Sequence, residues 1–139
     1  MVGRILGIDF GLKRIGLAIS DPLGITAQPL ETLHRTQMKQ DLQKIRAIIE
    51  EREVEKIVIG LPLNMNGSEG FMVATMRSFT RELKDFIGLE IIEIDERLTS
   101  QQAGQALQSA AVKGKHRKKS IDTISAQIIL QTYLNSIDR

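Results

Sequence analysis

The chain has 139 residues, 42% of them hydrophobic, which is enough for one compact domain with a sizeable core and too few for a second. It contains no cysteine, so disulfides, thiolate zinc sites and thiol catalysis are excluded. Its two histidines, His34 and His116, are too isolated to suggest a metal site by themselves, so any metal chemistry must use carboxylates. The formal net charge of +2 conceals a local cluster. Residues 113–119, KGKHRKK, hold five of the 19 Lys and Arg residues and leave 14 cations against 17 acids elsewhere. Such a run is either a solvated loop or a phosphate-binding patch. The apolar run in MVGRILGIDF is too short for a signal peptide, and no stretch approaches the ~20 apolar residues of a membrane helix. A cytoplasmic protein with no membrane partner is expected.

In chain order, RILGIDF and RIGLAIS are rich in apolar and β-favouring residues, with GLKR between them as a hairpin turn. GITAQPLETL follows the turn signal SDPLG and predicts a third antiparallel strand. From about Thr36 to Arg52, Met38, Leu42, Ile45 and Ile49 recur at steps of four, three and four, the spacing of one helical face. EKIVIGL predicts a short buried strand, and PLNMNGSEG a loop that ends in a helix cap at Ser68. The helix that follows has Met72, Met76, Phe79, Leu83 and Phe86 as its core stripe. LEIIEID is the last strand. Thr99 and Gln102 then have the spacing of a capping box that opens an Ala-rich helix, and Ser120 caps a final helix to about Ser136.

The order β-β-β-α-β-α-β-α-α predicts a ribonuclease-H-like fold: a mixed five-stranded α/β sheet with right-handed crossovers and helices on both faces, over residues 1–139 as a single domain. In such sheets ligands gather beyond the carboxyl ends of the parallel strands. Asp9, the Gly60–Gly67 loop and the Asp95–Glu96 pair each fall at or just past such an end.

Three acids stand where apolar residues are expected. Asp9 continues the parity of Ile5 and Gly7 in a strand covered on both faces; a salt bridge to Lys13 or Arg14 is one explanation for it. Glu96 follows the parity of Ile92 and Ile94, whereas Asp95 follows that of Glu93; an ion pair with Arg97 is the alternative for Glu96. Asp122 shares a helical face with Ala126, Ile129 and Tyr133, and the helix dipole explains an acid in the first turn but not its choice of face. A common cause is simpler than three separate ones. Converging carboxylates make a hard-oxygen site for Mg²⁺ or Mn²⁺, and two such ions ~3.5–4 Å apart can serve phosphodiester cleavage.

The segments GIDFGLKRIGLAISD, IVIGLPLNMNG, DERLTS and IDTISAQIILQTYL, spread over nearly the whole chain, together resemble the YqgF/RuvX family of ribonuclease-H-like nucleases. The resemblance implies a cytoplasmic nuclease that acts in 5′-end maturation of pre-16S ribosomal RNA, in a family also described as Holliday junction resolvases. It implies Asp9, Glu96 and Asp122 as metal-binding catalytic acids. Arg97, Thr99 and the loop bearing Asn64, Asn66 and Gly67 would form the substrate cleft, and Lys13, Arg14, Lys113, Lys115, Arg117, Lys118 and Lys119 are further expected substrate contacts. One departure concerns the resolvase reading: resolvases of the RuvC type carry two acids one turn apart in the last helix, and here the residue three beyond Asp122 is Ser125.

Two other classes compete. GIDFG also resembles the first phosphate hairpin of the actin, Hsp70 and sugar-kinase superfamily, but those proteins bind nucleotide between two domains and this chain supplies one. A non-catalytic nucleic-acid module would rely on phosphates, since aromatics are only 4% of the chain, and would have no need of the three acids together. The expected partner is nucleic acid, precursor ribosomal RNA ahead of branched DNA. A monomer is expected ahead of a homodimer, because no self-complementary surface is evident.

Overall fold

The computed structural model describes residues 3–98 and 121–137. The predicted capping box at Thr99 and Gln102, the Ala-rich helix, the basic cluster from Lys113 to Lys119 and the Ser120 cap lie outside the described residues. Strands β1 (Arg4–Asp9) and β2 (Arg14–Ser20) form the antiparallel hairpin, and β3 (Ala27–Pro29) and β4 (Leu33–His34) pair back onto β2. Helix α1 (Met38–Arg52) leads to β5 (Val54–Leu61), α2 (Phe71–Ile87) and β6 (Glu90–Asp95). A single 3₁₀ turn (Glu96–Leu98) follows, and α3 (Ile121–Ser136) is the last described helix. The sheet order is β3-β2-β1-β5-β6, with β5 parallel to both β1 and β6.

Alternation along the strands divides the core between the two faces. Leu6, Ile8, Ile57 and Ile59 face one way and pack with Leu42, Ile45 and Ile49 of α1 and Met76, Phe79 and Leu83 of α2. Ile5, Ala18 and Val58 face the other way, against Ala126, Ile129, Leu130 and Leu134 of α3. Each fully buried side chain of this size contributes about 1.5–3 kcal/mol relative to exposure, so the two clusters dominate the stability.

The predicted third strand is broken in two. Pro29 has no amide to give the ladder, the Leu30 amide makes a last bond to the Leu17 carbonyl at 3.1 Å, and residues 31–32 leave the sheet where α3 arrives: the Thr123 hydroxyl donates to the Leu30 carbonyl at 3.3 Å and meets the Thr32 hydroxyl at 2.8 Å. The outer edge of β3 is closed by α3, since Gln131 Oε1 accepts the Ala27 amide at 3.0 Å and Gln127 Nε2 donates to the Ala27 carbonyl at 3.2 Å.

Two packing expectations are corrected. Ser68 does not cap α2; the N-cap is Gly70, and Ser68 closes the preceding loop on itself. Phe86 is 36% exposed rather than core, because the buried stripe of α2 runs through Val73, Met76, Phe79 and Leu83, and the Arg46 guanidinium covers the Phe86 ring from 5.2 Å.

Candidate active site

The site is built on one row of residues across the sheet. Asp9, the last residue of β1, pairs with Gly16 of β2, while Ile8 pairs with Ile59, so Gly60 follows on β5 as Asp9 follows on β1. Gly60 in turn pairs with Ile94 of β6. Asp9 is thus flanked by two residues without side chains, on the face that carries α3. Both absences are required. A Cβ at Gly16 would overlap the Asp122 carbonyl, and one at Gly60 would lie 3.1 Å from Glu96 Cγ and Cδ and 2.6 Å from Ile129 Cδ1. The first turn of α3 therefore sits directly on β2, and the Glu96 side chain lies over β5. The two glycines admit one further carboxylate on each side of Asp9.

Electrostatics register this convergence. The Asp9 carboxyl is pushed up to about 7, first by burial and then by the charges of Glu96 and Asp122. Glu96 is also raised, by burial and then by Asp95. Among the described residues no three carboxylates stand close enough to grip one ion as they are. Instead, Arg14 Nε donates to Asp122 Oδ2 at 2.9 Å. Arg14 thus pairs with Asp122, not with Asp9 as the salt-bridge alternative required. That pair is largely solvated, and such pairs are worth about 0–1 kcal/mol, so it is readily exchanged for another cation. The donor set suits a hard divalent cation: carboxylates only, with a buried one destabilised by its like-charged neighbours.

Arg97 does not pair with Glu96. Its guanidinium grips Asp95, with Nη2 to Oδ2 at 2.8 Å, and its amide donates to Asp95 Oδ1 at 2.9 Å. The Asp95 carboxyl is held below its usual range by these bonds. Asp95 is held by Arg97, while the Glu96 side chain lies over Gly60 on the side of the sheet that carries α3. Arg97 Nη1 also reaches the Met65 carbonyl at 3.3 Å, beside Gly67, whose φ of +86° favours glycine. The Asn64–Gly67 loop and Arg97, both expected in the cleft, are therefore in contact. Asn64 and Asn66 spend their side chains inside the loop: Asn64 Nδ2 donates to Ser68 Oγ at 2.9 Å, and Asn66 Oδ1 accepts from Ser68 Oγ at 2.6 Å. Lys13 is exposed at the tip of the hairpin. Thr99 and the five basic-cluster cations, Lys113, Lys115, Arg117, Lys118 and Lys119, are not among the described residues.

Sequence reasoning missed Gly16 and the buried Asp41, and placed Gly60 at the start of a loop where the structure has it inside β5. Glycines inside strand patterns are a signal of close approach, but nothing local says what approaches.

A sheet of this topology, with acidic residues at the carboxyl ends of its parallel strands, defines a ribonuclease-H-like fold. The model of the RuvX family, described as a Holliday junction resolvase family, matches residues 3–136. The chain belongs to that family and, with it, to the nucleases. It is 47% identical over 135 residues to a protein of Endomicrobium trichonymphae named "Putative pre-16S rRNA nuclease", covering 96% of each chain. It is 46% identical to the protein of the same name from Clostridium acetobutylicum, covering 96% of this chain and 99% of the relative. Among solved structures, Thermus thermophilus RuvC in complex with a Holliday junction substrate has a TM-score of 0.60 at 17% identity, covering 94% of this chain and 92% of that one. The fowlpox virus resolvase in complex with Holliday junction DNA has a TM-score of 0.58 at 12% identity, covering 96% of this chain and 97% of that one. At these identities the two structures confirm the fold. Among the described residues, no helix is long and apolar enough to cross a membrane.

Proposed function

We propose that the chain is a single-domain, divalent-metal-dependent nuclease that hydrolyses phosphodiester bonds in precursor ribosomal RNA, in 5′-end maturation of pre-16S RNA, and acts as a cytoplasmic monomer. The observation that carries the reading is the glycine-flanked row: Gly16 and Gly60 bring Asp122 and Glu96 to either side of a buried Asp9. Nothing in the packing of a structural carboxylate calls for that arrangement, whereas a cation-dependent hydrolase needs it. Asp9, Glu96 and Asp122 would hold Mg²⁺ or Mn²⁺, and the ion would polarise the phosphate and supply the attacking hydroxide.

The chain's own residues do the rest. Asp9 gives the site its fixed base, because it ends a central strand and cannot move without the sheet. Arg14 holds Asp122 in place, and at the cleft wall its guanidinium would also be within reach of a substrate phosphate. Lys13, at the hairpin tip, adds a second cation on the same side. Arg97 and Asp95 fix the Asn64–Gly67 loop, which forms the opposite wall. RNA is favoured because the curated relatives named above carry that substrate in their names.

A junction resolvase is the second reading, favoured by the description of the family. It requires two active sites in fixed relation, hence an isologous dimer. The discriminating experiment incubates pure protein with a labelled precursor-RNA leader and with a four-way DNA junction, each with Mg²⁺, Mn²⁺ or EDTA. Expected is cleavage of the RNA by the monomer, abolished by EDTA, with weak or no paired incision of the junction. Symmetric, dimer-dependent junction cutting with inert RNA would reverse the substrate, and nucleic-acid binding with no cleavage of either would favour a binding module.

The basic cluster at 113–119 is assigned to phosphate contacts, since it has cations and no aromatic anchor. Neutralising its five cations should flatten the salt dependence of RNA binding. On single strands the slope is about −0.7 per neutralised phosphate, so full engagement changes it by up to ~3.5. An unchanged slope would assign the cluster elsewhere.

A further inference from the structure

On the face of the sheet opposite α3 a buried ion pair lies under the hairpin turn. Asp41, in the first turn of α1, is fully buried and accepts from Arg35 Nε at 3.2 Å, from the Thr36 amide at 3.0 Å and from the Thr36 hydroxyl at 3.4 Å. The Arg35 side chain is only 17% exposed. Its guanidinium stacks over the Phe10 ring at 4.8 Å and stands 6.0 Å from that of Phe79; the two rings are 4.7 Å apart. Its Nη1 donates to the Gly11 carbonyl at 3.4 Å, and its backbone amide donates to the Lys13 carbonyl at 2.9 Å. Below it, the β4–β2 pairs Leu33–Ile15 and His34–Arg14 continue the same seam.

A charge pair of this burial is weak justification for stability alone, because similar-sized apolar residues often stabilise a core as well or better. What this one does is geometric. The Arg35 side chain holds residues 10 and 11, and its backbone amide holds residue 13, all within four residues of Asp9. We propose that Arg35, oriented by Asp41, is a positioning residue that fixes the β1–β2 hairpin turn and thereby the aim of the Asp9 carboxylate and the place of Lys13. The inference rests on the proposed site at Asp9. A planar fork is needed: Arg35 bonds Asp41 and Gly11 in one plane while its face lies on Phe10, which the single ammonium of lysine cannot do at once.

The test compares Arg35→Lys and Asp41→Asn with Ile45→Val, a core change in α1 that removes none of these hydrogen bonds. Three quantities are read: melting temperature, kcat and KM for RNA cleavage, and amide hydrogen exchange of residues 10–14. Displacing a reacting group by about 1 Å can cost about 100-fold, so Arg35→Lys is expected to lower kcat about 10- to 100-fold with KM within about threefold. Faster exchange at 10–14 should accompany it, and Asp41→Asn should follow in both. Ile45→Val should lower the melting temperature with kcat and exchange at 10–14 unchanged. Wild-type kcat and protection in Arg35→Lys would overturn the proposal, as would an equal loss of kcat in Ile45→Val at matched stability. Wild-type protein inert toward both RNA and the DNA junction would overturn the nuclease reading and the positioning role with it, whereas unchanged exchange at 10–14 in Arg35→Lys would overturn the positioning role alone.

Discussion

Asp9→Asn is expected to reduce cleavage at least about 1,000-fold and, in metal-free buffer at pH 8, to leave a protein more stable than the wild type. The loss of activity follows from the place of Asp9 between Glu96 and Asp122: three decades in rate correspond to about 4 kcal/mol of transition-state stabilisation, within what a lost metal ligand removes. The gain in stability follows from linkage. The Asp9 carboxyl is near 3.8 in an unfolded chain and is pushed up to about 7 in the fold. The folded state therefore holds the extra proton, and its cost of ionising Asp9 is absent below about 4, grows between the two values and is full above about 7. At about 1.4 kcal/mol per unit the upper limit is about 4 kcal/mol, and residual solvent contact brings the expected gain to roughly 1–2 kcal/mol. Thermal melts at pH 5 and pH 8 check the sign: the advantage of Asp9→Asn should be larger at pH 8. A variant less stable than wild type at pH 8 would mean that Asp9 is held by a favourable partner and not by repulsive neighbours.

Gly16→Ala should be the most damaging small substitution outside the acids. Its new methyl group would occupy the space of the Asp122 carbonyl, which is backbone and cannot swing aside. Either the first turn of α3 lifts from β2 or the strand bends, and the cost is about 3 kcal/mol or more, a fall in melting temperature of about 10 °C. Because Asp122 moves with its helix, activity should fall further than the loss of folded protein accounts for. Gly24→Ala is the control: Gly24 has φ of +72° but nothing within 4 Å of a new Cβ, so it should show only modest backbone strain and full activity. Comparable kcat in Gly16→Ala and wild type would show that α3 tolerates displacement and that its contact with β2 does not set the site.

Much of this architecture is legible in the chain because it is written in periodicity. The steps that place Leu42, Ile45 and Ile49 on one face of α1 are the steps that bury them, and the parity that sets Asp9 with Ile5 and Gly7 correctly places it on the face covered by α3. What escapes is information held between distant segments. Arg97 has acids at both of the two preceding positions, and only the turn after β6 determines that Asp95 receives it. Arg14 is adjacent in sequence to Asp9's hairpin, yet its partner, Asp122, is 108 residues away. Gly16 and Gly60 are unremarkable in their own strands; their meaning is a cross-strand register that sets both beside Asp9. Phe86 continues a helical stripe, but at the end of α2 it is Ile87 that packs against the core, and Phe86 lies under Arg46 instead. Asp41 lies one turn before Ile45 on the buried face of α1, and nothing local to the helix says that its partner is Arg35, which folds back over Phe10.

The central claim, that the acids at the ends of β1 and β6 and at the start of α3 form one cation site, is tested most directly by a Mn²⁺ titration without substrate. Calorimetry or electron paramagnetic resonance would compare the wild-type protein with Asp9→Asn, Glu96→Gln and Asp122→Asn. The account predicts saturable binding by the wild type, weakened at least about tenfold by each of the three substitutions while circular dichroism stays native. Mn²⁺ affinity that is the same in all four proteins, or absent in the wild type, would contradict it.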